Sequence, residues 1–154
     1  GKPESRRGNT ITSLALEADV QERHNIKLQK KYAEIEANEV RYSTYKTEDA
    51  EHLIVAFGCM SRIGEAVVDY AREQGYKVGL LRPITLFPYP KAAIEALIPQ
   101  LKSIMSVELN AGQMVEDIKV IANGRVPVNF YGRQGGMIPD PEEVFEAFVK
   151  SINK

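Results

Sequence analysis

The sequence predicts an α/β domain whose largely parallel sheet is covered by helices on both faces. Three observations carry that expectation. Short apolar runs of five or six residues recur after residue 50, each ending at Gly, Pro or a polar loop. Between them lie segments with apolar residues at helical spacing, the alternation of βαβ units. The length, 154 residues with 44% hydrophobic and 27% charged, suits one domain at ~100–200 residues per domain and suffices to bury a core.

Taken in order, residues 1–12 carry Gly1, Pro3, Gly8 and charges with little to bury, and read as a loose lead-in. Gly1 stands where an initiator Met would, before a polar stretch, which suggests a piece of a longer chain. Residues 13–38 lack Gly and Pro and favour helix, with Leu14, Leu28, Tyr32 and Ile35 as a narrow apolar side. Segment 13–40 therefore reads as a polar helix entering a domain over 41–154, and 42–45 as a short edge strand. Residues 52–57 (HLIVAF) form a buried-strand pattern ending at Gly58. Residues 62–74 are helical, with Ile63, Ala66, Val67, Tyr70 and Ala71 on one face and Gly75 just past the end. A second strand at 77–81 (KVGLL) is stopped by Pro83, and 90–97 is a short helix with Pro90 in its first turn. A third strand spans 103–107 (SIMSV), followed by a helix over 113–122 that ends at Asn123-Gly124. A fourth spans 126–131 (VPVNFY), where Pro127 marks a beginning or an edge. Asp140, Pro141, Glu142 and Glu143 fill the N-cap to N3 positions of a last helix running to about residue 152.

Composition removes several function classes. Twenty Lys plus Arg against 21 Asp plus Glu give a net charge of −1, without global attraction to nucleic acid or an anionic membrane. One cysteine and two histidines exclude an internal disulfide, a cysteine-ligated iron–sulfur cluster, a thiolate zinc site and a multi-histidine centre. No apolar run approaches the ~18 residues of a membrane span, and no signal peptide opens the sequence. The expectation is a cytoplasmic domain that binds no metal.

In parallel sheets ligands bind beyond the carboxyl ends of the strands, which directs attention to four loops. The first, Gly58-Cys59-Met60-Ser61-Arg62-Ile63-Gly64, fails both the dinucleotide fingerprint and the P-loop spacing. Ser61 is a candidate N-cap, and Arg62 beside free amides either holds a carboxylate or phosphate or pairs with an acidic neighbour. Cys59 is either a thiol activated at a helix start or, the favoured reading, buried packing. His24 and His52 read as surface or capping residues. The second loop, 82–90 (RPITLFPYP), is rigid and partly apolar, and either meets a partner or folds Phe87 and Tyr89 back on the sheet. In the third, Glu108, Asn110 and Gln113 make a candidate polar site; alternatively Asn110 caps the helix and Glu108 pairs with Arg62 or Arg82. In the fourth, Arg133 with Gly135 and Gly136 either cradles a phosphate or forms a turn needing positive φ.

Together these loops resemble, in order and spacing, a known family. FGCMSR (57–62), GLLRPITLFPYP (79–90), ELNAGQMVED (108–117) and GRQGGMIP (132–139), with KLQKKYAE (27–34) ahead of them, are similar to the C-terminal part of the α subunit of 2-oxoacid:ferredoxin oxidoreductases. The likeness covers roughly residues 20–150, with the branched-chain 2-oxoisovalerate type nearest and the 2-oxoglutarate and pyruvate types as alternatives. It implies a three-layer α/β/α sandwich of the transketolase C-terminal type, with one strand antiparallel to the rest. It further implies a holoenzyme of anaerobic metabolism that uses thiamine diphosphate, magnesium, iron–sulfur clusters and CoA to turn 2-oxoacids into acyl-CoA. Implied partners are the remaining α-subunit domain, the β and other subunits, and ferredoxin through the holoenzyme. The family's Pro-Ile-Thr-Pro-Ser type motif and Gly-Asp-Gly motif are absent, so no catalytic or cofactor-binding residue carries over and this chain alone is expected to be inactive. Its expected work is subunit assembly and shaping the active-site rim, with Ser61, Arg62, Glu108, Asn110, Gln113, Arg133, Gly135 and Gly136 as rim, interface or anion-binding candidates. An anion- or CoA-binding module and a pure interaction scaffold are the rival readings.

Overall fold

The computed structural model describes residues 4–6, 8 and 15–153. The chain divides into two units, one through Asn38 and one from Glu39 onward. In the first, Glu4–Arg6 make a single 3-10 turn, while most of the expected lead-in lies outside the described residues. Helix α1 spans Ala18–Asn38. It starts later than the composition suggests: Ala15, Leu16 and Glu17 are not helical, and Ser13 and Leu14 lie outside the described residues. None of its residues is buried, so pairs one turn apart, such as Arg23 with Asp19 and Gln21 with Asn25, support it along its own surface.

In the second unit, among the described residues, five strands form one sheet in the order β1-β3-β2-β4-β5. They are β1 (Tyr42–Tyr45), β2 (His52–Ala56), β3 (Val78–Pro83), β4 (Ser103–Glu108) and β5 (Val128–Gly132). β1 pairs antiparallel with β3; β2 pairs parallel with β3 and β4, and β4 parallel with β5. The lone antiparallel strand is thus β1, at one edge. The connecting helices are α2 (Met60–Glu73), α3 (Lys91–Leu97), α4 (Met114–Ala122) and α5 (Pro141–Ile152).

Strand periodicity sorts the core into two layers. Leu53, Val55, Leu81 and Ile104 face α3 and α4, where Ile94, Met114 and Ile118 meet them. Ile54, Ala56, Leu80, Met105 and Val107 face the opposite way, onto Val67 of α2 and Val144 and Phe148 of α5. Adjacent residues of one strand therefore serve different cores, so the central strands are apolar throughout. Gly79 marks where the backbone turns in tightly: a Cβ there would sit 2.7 Å from the Lys46 carbonyl oxygen.

Several boundaries move from their sequence positions, each for a local reason. Pro83 is the last residue of β3 rather than its stop, because it pairs with edge residue Tyr42 and no ladder N–H is needed. Pro90 precedes α3 as its N-cap instead of lying in the first turn. β5 begins at Val128, the Pro127 carbonyl accepting from Ile104 N. The last helix forms as the capping pattern predicts, Asp140 Oδ1 accepting from Glu143 N at 2.8 Å.

Candidate functional site

The carboxyl ends of β2, β4 and β5 and the loops after them, with the loop after β3, build one polar and apolar rim. After β2 the chain turns at Gly58, φ +59, straight into α2. Cys59, not Ser61, is the N-cap, and no side chain caps this helix. Ser61 lies inside the first turn, buried, its hydroxyl donating back to the Gly58 carbonyl at 2.8 Å. Its hydrogen-bonding capacity is turned onto its own backbone, which corrects the N-cap reading. Cys59 is exposed rather than packed, because the sharp turn carries the N-cap position off the sheet. Arg62 is exposed and has no ion-pair partner among the described residues.

The loop after β3 splits its two aromatics. Phe87, Ile84 and Leu86 are exposed, whereas Tyr89 folds into the core facing α3 and α4. Thr85 holds the loop's shape: its hydroxyl donates to the Pro88 carbonyl at 2.8 Å and accepts from Arg41 N at 3.0 Å. The Phe87–Pro88 peptide is cis.

Glu108, the last residue of β4, is fully buried and pairs with neither Arg62 nor Arg82. Its carboxylate reaches forward to the start of α4. Oε2 accepts from Gln113 N and Met114 N at 3.1 and 2.8 Å; Oε1 accepts from Val115 N at 2.9 Å and the Ser106 hydroxyl at 2.8 Å. Four donors saturate the two oxygens, and the free amides of the helix start are satisfied from the preceding strand rather than from a cap. Burial pushes this carboxyl up, but bonds from Met114, Ser106, Gln113 and Asn110 outweigh it and hold the group below the usual carboxylate range. Asn110 does not cap α4; its Oδ1 accepts from Gly112 N at 2.7 Å within the loop.

After β5, Arg133 is likewise occupied. Its Nη1 donates to Glu143 Oε1 at 2.8 Å, and the Tyr131 hydroxyl donates to that same oxygen. Burial, together with this carboxylate, pushes the Tyr131 hydroxyl up to about 12. Gly135 and Gly136 take φ of +63 and +82 in an exposed turn, with Met137 N bonded to the Gln134 carbonyl. The positive φ of both glycines and the Gln134–Met137 turn fit the turn reading, and a phosphate at Arg133 would share the guanidinium with Glu143.

The structure therefore brings three of the eight candidates together. Glu108, Asn110 and Gln113 line a cavity of about 130 Å³ with Phe57, Leu86, Tyr89, Met114 and Asp117. Ser61, Arg62, Arg133, Gly135 and Gly136 are not among its lining residues. Asp117 escaped sequence reasoning, and Tyr89 entered it only as one of two aromatics that could fold back on the sheet. Asp117 had a signal, lying four residues after Gln113 and hence on the same face of α4. Tyr89 had none, since its neighbour Phe87 looks equally apolar in sequence. The Tyr89 hydroxyl is buried without a hydrogen-bond partner among the described residues; burial, with the Asp117 and Glu108 charges, holds its pKa well above the ordinary phenol range.

The one histidine of the second unit stands away from this rim. His52 opens β2 at the other end of the sheet, half-buried against Phe148 and 2.8 Å from Ser103 Oγ through Nδ1. It is thus a packing residue more than a surface one. Burial holds its imidazole below the usual value. His24 is exposed on α1. Among the described residues no three His, Cys, Asp or Glu side chains converge as a metal site, and no helix is long and apolar enough to cross a membrane.

The model of the pyruvate:ferredoxin oxidoreductase core domain II matches residues 50–144. Over 136 residues the chain is 47% identical to the ketoisovalerate oxidoreductase subunit VorB of Methanothermobacter marburgensis. That match covers 88% of this chain and 38% of the relative, so the chain spans about two-fifths of that protein's length. In fold, it superposes on the 2-oxoglutarate:ferredoxin oxidoreductase of Magnetococcus marinus with a TM-score of 0.71 at 18% identity, over 90% of this chain and 24% of that one. A split-gene transketolase solved as an inactive beta4 tetramer gives 0.62 at 14% identity, over 73% of this chain and 41% of that one.

Proposed function

The chain belongs to the pyruvate:ferredoxin oxidoreductase core domain II family, and from that membership we propose that it is the C-terminal domain of the α subunit of a 2-oxoisovalerate:ferredoxin oxidoreductase. The observation that carries this reading is the 47% identity to a ketoisovalerate oxidoreductase subunit across 88% of the chain. In this reading the cytoplasmic holoenzyme decarboxylates the 2-oxoacid oxidatively to an acyl-CoA and passes electrons to ferredoxin. Thiamine diphosphate supplies the carbanion chemistry and iron–sulfur clusters the electron path.

The residues present here do not fit those groups. A single exposed cysteine cannot ligate an iron–sulfur cluster, and the sequence holds no Gly-Asp-Gly motif for a metal–diphosphate site. Both groups belong, in this proposal, to the rest of the α subunit and to the other subunits. The part left to this chain is assembly and the rim. Helix α1 leads into the domain, and exposed Ile84, Leu86, Phe87 and Arg62, with Asn110 and Gln113, face the neighbouring polypeptide.

The test is to tag the chain in its native cells, purify what assembles with it and assay CoA-dependent reduction of ferredoxin. Turnover fastest with 2-oxoisovalerate is the expected result. Faster turnover with 2-oxoglutarate or pyruvate would reassign the substrate within the family. A chain that purifies alone, or with partners that oxidise no 2-oxoacid, would remove the proposal.

A further inference from the structure

β5 forms one edge of the sheet, and its register to β4 with two bonds fixes which of its backbone groups point where. Ile104 N donates to the Pro127 carbonyl, and Arg133 N donates to the Glu108 carbonyl. Inward-facing residues recur at every second position of a parallel ladder, so 127, 129, 131 and 133 serve β4. The N–H and C=O groups of Val128, Phe130 and Gly132 therefore face away from the sheet. No hydrogen bond among the described residues uses them. Edge strands are ordinarily blunted by Lys, Pro, a bulge or a covering segment. β5 carries no charge and no Pro. Pro127, just ahead of it, lacks an N–H on the side that faces β4 and leaves the outer side as it was. The opposite edge differs, since β1 is four residues long and lies between Arg41 and Lys46. We infer that β5 pairs antiparallel with β5 of a second copy of this chain, joining two sheets edge to edge about a twofold axis at Phe130.

A second copy is the occupant because the edge is complementary to itself. An axis at Phe130 sets that residue against the second copy's Phe130, and Val128 against the second copy's Gly132. Every outward group of the strand then lies in a hydrogen-bonded pair, each pair exchanging both N–H···O bonds. A register moved by two residues leaves Val128 or Gly132 facing a residue outside the strand. The side chains agree with the centred register. Phe130 is 42% exposed, its ring turned along its own strand over Gly132 and Gly112. Val128 and Phe130 share one face, so the exposed ring meets the second copy's ring with Val128 beside it, an aromatic and β-branched cross-strand cluster. Arg133 falls opposite Pro127, so no like charges meet across the axis. Nothing in the uncharged strand selects an acidic or a basic partner in place of a copy. The pairing is isologous and closes on itself, which leaves no open β5 edge to recruit further copies. It does not depend on the oxidoreductase reading.

Sedimentation equilibrium of the full chain, with amide exchange followed residue by residue, tests the pairing. The chain should show twice the mass of one copy above about 0.1 mM and dissociate on dilution, as suits a small interface. Over the same range the amides of Val128, Phe130 and Gly132 should slow at least about tenfold. Phe130→Lys sets like charges across the axis, and Phe130→Pro removes an N–H that β4 does not use; each should weaken self-association at least about tenfold. Tyr42→Lys, on the exposed β1 edge, should leave it unchanged. The inference is overturned by a chain still monomeric at about 1 mM, or by a dimer in which those amides exchange at the monomer's rate. A dimer as strong in Phe130→Lys as in the unsubstituted chain overturns it as well. The mass and the amide exchange of the unsubstituted chain decide the matter even where a variant fails to fold.

Discussion

Glu108 shows how one side chain can have its chemistry consumed by the fold. A carboxylate at a strand end looks available for acid–base work, yet both its oxygens are bonded to the helix that follows. Glu108→Gln puts an amide N–H against backbone N–H groups and should cost about 3 kcal/mol in chemical denaturation. The pH dependence follows from the sign of the shift. The folded group lies below the ordinary value of 4.5, so its stabilisation is complete above that value and is lost as pH falls through the folded pKa. The substituted protein should therefore show a shallower loss of stability below pH 4.5. Equal stability of the two proteins, with identical acid limbs, would rule out the capping account. Arg133 and Ser61 were legible as polar loop residues, but their partners, Glu143 Oε1 and the Gly58 carbonyl, depend on side-chain direction that spacing does not encode.

At the level of elements, the best-read segment was α5, whose Asp140-Pro141-Glu142-Glu143 start carries its own signal in consecutive residues. Asp140→Ala removes the bond to Glu143 N and should lower stability by about 1 kcal/mol. It should move the urea midpoint without altering the slope, because the surface exposed on unfolding is unchanged. A changed slope would mean that the turn carrying Gly135 and Gly136 and the Arg133–Glu143 pair had loosened as well. α2 was legible in its body but not its start. Gly58 at positive φ lets the chain enter the helix one residue after the turn, leaving exposed Cys59 as N-cap and Ser61 already inside. The loop after β3 was legible as rigid and apolar. Which aromatic turned inward was decided by packing, Tyr89 joining Ile94 and Met114.

For the whole molecule, the two apolar layers meet at β2, β3 and β4, the strands with almost wholly buried residues. Amide hydrogen exchange should be slowest there, faster at edge strands β1 and β5, and fastest in α1, which buries no residue. Protection in α1 equal to that of β4 would show a cover on that helix that its own residues do not supply. The alternation of strands and helices, the parallel sheet and the family were all determined by the sequence, because apolar periodicity and loop motifs are written in contiguous residues. Tertiary structure alone decided which loop residues share a site. Glu108, Asn110 and Gln113 meet Phe57 and Tyr89 only once β2, β3 and β4 are laid side by side. The same packing left the Tyr89 hydroxyl without a partner among the described residues and the Arg133 guanidinium paired, since hydrogen-bond satisfaction depends on neighbours far apart in the chain.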